Sequence, residues 1–177
     1  KKSKISIESI LVVLGGADPG NKTMDAISII SQNLDINKIK KIDIVVGYLF
    51  SNLLKQKLSS SIQSYSSKIN IYNSPENFAK LFEDKDVVFC GGGTTLLESM
   101  SLGIPAIVLP QSDEEMYHAR YYEDKGCCVV ANKHIIPFQI KNPEFRFKLS
   151  INAIKTIDFL GKYRIVKIAD NLLNEKK

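Results

Sequence analysis

Short β-branched apolar runs alternate along the chain with longer stretches in which apolar residues recur every three or four positions. The runs at 10–14, 42–46, 69–72, 87–90, 106–109 and 127–131 read as strands. Between them, helices are predicted over 23–33, 51–64, 94–102 and 113–125, and another starts at the Ser74-Pro75-Glu76 turn and runs through Phe82. The strands are apolar throughout rather than alternating, which fits strands covered on both faces. Strand–helix alternation implies right-handed crossovers and a parallel sheet. The fold class expected is therefore α/β, a doubly wound, Rossmann-like parallel sheet of about six strands.

Past Asn132 the pattern changes. Pro137 and Pro143 bracket an irregular stretch, and two C-terminal helices follow over 144–159 and 162–174, separated by Gly161. Ile165, Ile168, Leu172 and Leu173 fall at helical spacing in the second of these. No internal repeat appears beyond the strand–helix unit, and one domain over 1–177 is expected.

Composition narrows the function class only a little. The chain has 177 residues, enough to bury a sizeable core, and its net charge of +5 is ordinary. Lysines 1, 2, 4, 176 and 177 lie in the tails, so the basic balance reads as solvated surface rather than a nucleic-acid face. Cys90, Cys127 and Cys128 lack metal-ligand spacing, and the adjacent pair would point to opposite faces of a strand. An odd cysteine count without a framework suits a reducing compartment, so a cytoplasmic location is expected. No apolar stretch approaches the roughly 20 residues of a membrane helix. The first residue is Lys1 rather than methionine, which reads as a piece of a longer protein.

Chemistry concentrates where strands end, because ligands of open parallel sheets bind beyond the carboxyl ends. Two glycine clusters sit there: Gly15-Gly16-Ala17-Asp18-Pro19-Gly20-Asn21-Lys22-Thr23 and Gly91-Gly92-Gly93-Thr94-Thr95. Glycines allow backbone to approach a ligand, and open amides at a helix start attract a diphosphate. Tight turns alone would also use glycines. The first cluster has the Gly15–Gly20 separation and the Lys22-Thr23 pair of a nucleoside-triphosphate loop, but Asn21 intervenes and displaces the lysine. Glu98, one turn into the following helix, suits a ribose diol, or simply the positive end of the helix dipole. Gln111, Asp113, Glu114, Glu115 and His118 follow the fifth strand and are placed to hold sugar hydroxyls, or to form a solvated helix face. Neither His118 nor His134 has a partner fixed by spacing, so no catalytic residue and no metal site is assigned.

The stretch from Gly91-Gly92-Gly93-Thr94-Thr95 through Glu98 and Gly103-Ile104-Pro105 to Pro110 closely resembles the donor-binding signature of GT-B glycosyltransferases. Tyr117-His118-Ala119 and Lys125-Gly126 resemble its continuation. Leu14-Gly15-Gly16-Ala17-Asp18-Pro19-Gly20-Asn21 looks like the opening of the C-terminal domain in one subgroup. That subgroup joins pseudaminic-acid-pathway UDP-sugar hydrolases and spore-coat polysaccharide proteins, which are related to the peptidoglycan UDP-N-acetylglucosamine transferase.

The resemblance implies one half of a GT-B fold that takes a UDP-sugar as substrate and needs no separate cofactor. It would put Gly15, Gly16 and Asn21 beside the diphosphate or sugar, and backbone near Ser74 and Pro75 at the uracil edge. Gly92, Gly93, Thr94 and Thr95 would hold the diphosphate, Glu98 the ribose, and Glu115 and His118 would face the donor sugar. Two departures stand out. Glu114 and Glu115 occupy positions where related transferases usually carry glutamines or an Asn-Gln pair. The hydrolase subgroup also takes its catalytic histidine from an N-terminal domain outside this chain.

The function implied is the UDP-sugar-binding half of a hydrolase or glycosyltransferase in surface polysaccharide or nonulosonate synthesis, inactive as an isolated domain. Its partner would be an N-terminal GT-B domain in cis or a subunit in trans. The alternatives are a non-catalytic donor-binding subunit of a split enzyme, docking through an apolar edge, and a Rossmann-like domain for another nucleotide.

Overall fold

The computed structural model describes residues 5–62, 67–131 and 138–174. Six strands, β1 (Ser9–Val13), β2 (Lys41–Val46), β3 (Ile69–Asn73), β4 (Val87–Cys90), β5 (Ala106–Val108) and β6 (Cys128–Val130), form one sheet. Every pairing is parallel and the order is β3-β2-β1-β4-β5-β6. The chain winds outward from β1 to β3, then returns to β4 on the other side of β1. The sheet therefore reverses direction between β1 and β4, the place where neighbouring loops diverge and leave a crevice.

Among the described residues six α-helices accompany the sheet: α1 (Lys22–Asn33), α2 (Asn52–Ser61), α3 (Thr94–Ser101), α4 (Asp113–Asp124), α5 (Pro143–Thr156) and α6 (Gly161–Asn174). The doubly wound, Rossmann-like architecture read from the sequence is the one present. Alternate strand residues feed two cores. Ile10, Val12 and Leu14 pack with Ile29 and Ile30 of α1 and Leu54 and Leu58 of α2. Leu11 and Val13 pack on the other face with Leu96 and Met100 of α3 and Ala119 of α4. Continuous apolar strands are thus required by burial on both sides.

Local chemistry sets the helix ends. Ser51, Ser112 and Asn142 each accept a first-turn amide of α2, α4 and α5, and Pro143 opens α5. At the end of α3, Gly103 (φ 66°) takes the left-handed conformation, Gly103 N–H donates to Met100 and Ile104 N–H to Ser99. Pro105 then forbids further helix and delivers the chain into β5.

Three expectations need correction. The helix expected through Phe82 is only a 3-10 turn, Phe78–Phe82, because Ser74 adopts φ 44° and Asn77 caps this short turn instead. The first C-terminal helix stops at Thr156, since Ile157 is extended and Phe159 has φ 57°. β6 begins at Cys128, and both adjacent cysteines are buried in the same core, so neither faces away from it. Ser64, His134 and Pro137, and the terminal lysines at 1, 2, 4, 176 and 177, lie outside the described residues.

α6 stands apart, with no residue buried. Ile165, Val166, Ile168, Leu172 and Leu173 share one side of it and are each 58–69% exposed. Arg164, Lys167, Asp170, Asn171 and Asn174 share the other. Arg164 pairs with Asp158, just ahead of the helix, through two bonds of 2.6 and 2.9 Å. Among the described residues no helix is long and apolar enough to cross a membrane.

One buried charge cluster braces β2. Asp43 is wholly buried, 2.8 Å from Lys85 Nζ and 2.9 Å from Lys41 Nζ, and accepts a 2.8 Å bond from Asn70. Burial alone would push the Asp43 carboxyl up, but Lys85, Asn70 and Lys41 together hold it below its ordinary value of 3.8. A group held low in the folded state stabilises above its unfolded value and loses that contribution as pH falls through the folded value. The cluster's stabilisation should therefore be complete above pH 3.8 and decline below it. Asp43→Ala, which strands Lys85, should cost about 3–5 kcal/mol in denaturant unfolding.

Candidate functional site

The two glycine clusters follow β1 and β4, the adjacent strands at the reversal, so the fold brings them side by side at one crevice. Ser74 and Pro75 follow β3, three strands from β4, roughly 14 Å at ordinary strand spacing. Only an extended ligand spans both. Glu115 and His118 lie on α4, one turn apart, beyond β5.

The loop after β1 is built around Asp18 rather than around an open helix start. Asp18 is buried, and its carboxylate accepts the amides of Lys22 and Thr23 at 2.7 and 2.9 Å. It therefore occupies the positive end of α1, where a phosphate would have to sit. Lys22 meanwhile pairs with Asp25 at 3.0 Å. These contacts remove the triphosphate-loop resemblance of this segment. Asn21, in the left-handed region at φ 52°, points its side chain into no cap and is exposed. Gly15 and Gly16 line the loop, and the turn after β2 presses on it. A Cβ at Gly47 would meet Gly16 O at 2.2 Å, and Leu49 N–H donates to Gly16 O.

α3 begins differently. Its N-cap is Gly93, no side chain caps it, and no acidic residue lies in its first turn. By contrast, side-chain oxygens serve the starts of α1, α2, α4 and α5. The first-turn amides of Thr94 and Thr95 are consequently open, with two threonine hydroxyls beside them. Glu98 is exposed one turn further on, yet the surrounding protein pushes its carboxyl above the ordinary value of 4.5 by desolvation. Cys90, at the end of β4, is raised by burial and is no candidate nucleophile.

Glu115 and Gln111 join these loops. One oxygen of Glu115, Oε2, accepts the amides of Gly92 at 3.0 Å and Gln111 at 2.9 Å. Gln111 Nε2 donates to Leu14 O at 2.7 Å, and Gln111 Oε1 accepts from Gly20 N–H at 3.4 Å. Leu14, Gln111, Glu115 and Gly92 thus form a continuous chain from the β1 loop to the β4 loop. The glycines owe their identity to this contact. A Cβ on Gly91 would lie 2.8 Å from Glu115 Oε2, and one on Gly92 would lie 2.2 Å from Glu115 O. His118 is exposed, with Tyr117 as its ring neighbour.

Sequence reasoning placed Gln111 among sugar-facing residues and passed over Asp18 and Gly47 as structural parts. Asp18 had a usable signal, an acid five residues before the first helical pattern. Gly47 had none, because the backbone it touches lies 31 residues earlier (47 − 16). Among the described residues no group of three His, Cys, Asp or Glu side chains is arranged to hold a metal.

The two kinds of glycine are separable by experiment. Gly92→Ala should cost about 1–3 kcal/mol in thermal or denaturant unfolding, because α4 backbone blocks the new methyl. Gly16→Ala, with no atom within 4 Å of an added Cβ, should change stability by less than about 0.5 kcal/mol.

Known proteins are similar to this chain. An uncharacterized protein of Methanocaldococcus jannaschii is 30% identical over 175 residues, covering 96% of this chain and 33% of its own length. A processive diacylglycerol beta-glucosyltransferase of Bacillus subtilis is 26% identical over 72% of this chain and 32% of its own. The spore coat polysaccharide biosynthesis protein SpsG of Bacillus subtilis is 25% identical over 71% and 36%. The chain thus spans about a third of the length of these curated relatives. Among solved structures, MurG of Acinetobacter baumannii superposes with a TM-score of 0.60 at 16% identity, over 94% of this chain and 50% of that one. The lipopolysaccharide glycosyltransferase WaaG superposes at 0.65 and 17%, over 96% and 48%. A model of the glycosyltransferase family 28 C-terminal domain matches residues 10–142, which take in both glycine loops and all of the six strands but Ser9. The chain belongs to the glycosyltransferase family 28 C-terminal domains.

Proposed function

We propose that this chain is the donor-binding half of a nucleotide-sugar hydrolase or glycosyltransferase, and that its ligand is a UDP-sugar. The observation that carries the reading is the uncapped start of α3 at the β1–β4 crevice. There the open amides of Thr94 and Thr95 meet two hydroxyls, in a fold whose other described helix starts are mostly filled. Such a group of donors stabilises a diphosphate, and stabilises it further as the sugar bond breaks and negative charge grows on the leaving oxygen. Glu98, one turn along, is placed for the ribose hydroxyls, and the Ser74–Pro75 turn for the base edge. His118 and the outer face of α4 remain on the sugar side, as do Gly15, Gly16 and Asn21 across the crevice.

No residue of this chain is assigned to attack or to proton transfer. Those groups would come from a second domain, in cis or in trans, facing the crevice. The bare apolar side of α6 supports that pairing: Ile165, Ile168 and Leu172 have no cover of their own. Its polar side carries few free charges, Lys167 against Asp170 with Arg164 tied to Asp158, which suits a protein surface better than an anionic membrane. The relatives in glycolipid and spore-coat polysaccharide synthesis support a role in surface polymer assembly, and nonulosonate assembly rests on the resemblance of the Leu14–Asn21 opening.

Calorimetric titration with UDP, ADP, GDP and CDP tests this. UDP should bind best, and Glu98→Ala should weaken it by about 1–3 kcal/mol. Equal binding of all four, or no effect of Glu98→Ala, would contradict the assignment. Because Glu98 is raised above 4.5, its contribution should fade as acidification approaches that value from above. Wild type and Glu98→Gln should then converge in affinity at low pH and differ at neutral pH.

A further inference from the structure

We infer that Glu115 is a positioning residue rather than a ligand of the sugar. Its carboxylate acts as an internal anion that clamps the β4 loop to the β5 loop and, through Gln111, to the β1 loop. The inference rests on the reading that the start of α3 takes a diphosphate, and it specifies what holds that start in place.

Geometry carries the argument. Both amide bonds converge on the same atom, Oε2, at 3.0 and 2.9 Å, and they come from different loops, Gly92 and Gln111. The glycine turn is moulded to Glu115, since a Cβ on Gly91 would meet its carboxylate and a Cβ on Gly92 its backbone. The Ser112 hydroxyl accepts the Glu115 amide at 3.2 Å, which fixes the first turn of α4 and with it the side chain's origin. Gln111 then spans to Leu14 O at 2.7 Å, so the two glycine loops are spaced by side chains and not by chance. A side chain with this much backbone to hold cannot swing to a sugar without releasing Gly92, and the α3 start would lose its support.

The clamp has a consequence for affinity. A fixed negative charge stands immediately before the helix start that receives the diphosphate, so the same residue that orders the amides also opposes the anion. Glutamine keeps the shape and one acceptor oxygen while removing the charge. Glu115→Gln should therefore tighten UDP binding by roughly three- to tenfold, the size expected for one charge a few ångströms away in a partly solvated site. Glu115→Ala should do the reverse, weakening UDP about tenfold or more through loss of two charge-assisted bonds.

Titration of UDP and a UDP-sugar into wild type, Glu115→Gln, Glu115→Ala and Gln111→Ala, with amide exchange followed at Gly92 and Gln111, tests the clamp. Glu115→Ala should accelerate exchange at both amides, and Glu115→Gln should leave Gly92 protected. Gln111→Ala should weaken UDP while leaving the Gly92 amide protected. The opposite signs for Gln and Ala at Glu115 are the signature, because a purely structural role would not raise affinity above wild type. Unchanged exchange in Glu115→Ala, with only the UDP-sugar weakened, would overturn the inference and make Glu115 a sugar ligand. If Glu115→Ala fails to fold, Glu115→Gln decides, and equal or weaker UDP binding would overturn the inference. Should wild type bind no nucleotide, the functional reading fails, while exchange at Gly92 and Gln111 still decides whether the clamp exists.

Discussion

The contact between the Glu115 carboxylate and the Gly92 and Gln111 amides holds the carboxyl edge of the sheet together. The strands themselves need no such help: apolar burial on two faces fixes β1, β2, β4, β5 and β6, and the part-exposed edge strand β3 is held by its pairing with β2. Sheet packing, however, leaves the loops beyond the strands unspecified. Two of those loops, after β1 and β4, must lie at a defined separation for a ligand to touch both. The relay from Leu14 through Gln111 and Glu115 to Gly92 sets that separation through polar contacts within the chain.

Two carboxylates at the same edge leave the two helix starts in different states. Asp18 fills the positive end of α1 and closes it to phosphate, which converts a loop rich in glycine into a structural turn. Glu115 takes the Gly92 amide, two residues ahead of α3, and leaves those of Thr94 and Thr95 open. A chain with two glycine loops thus has one helix start available for a diphosphate. The difference lies in where each acid sits: Asp18 precedes its helix and turns back onto it, whereas Glu115 reaches across from a neighbouring helix.

Much of this fold is legible in the sequence because burial on both faces writes itself as unbroken apolar runs. The reading failed where local pattern and long-range contact disagree. Phe78, Leu81 and Phe82 have helical spacing, but the left-handed Ser74 and the brevity of the segment leave only a 3-10 turn. Residues 157–160 continue an apolar helical pattern, yet the Asp158–Arg164 pair restarts the chain as α6. At the site, the positions of the glycine clusters were visible and their cause was not. Gly91 and Gly92 are small because Glu115, 23 residues from Gly92, packs against them, a relation with no local signature.

The central question is whether the open amides of α3 receive a diphosphate. Amide chemical shifts of the isotopically labelled chain, followed during addition of UDP, test this most directly. The account predicts the largest changes at Thr94 and Thr95, smaller ones at Gly15 and Gly16, and little at Lys22 and Thr23, whose amides Asp18 already holds. Large changes at Lys22 and Thr23 with none at Thr94 and Thr95 would put the anion on α1 and contradict the central claim.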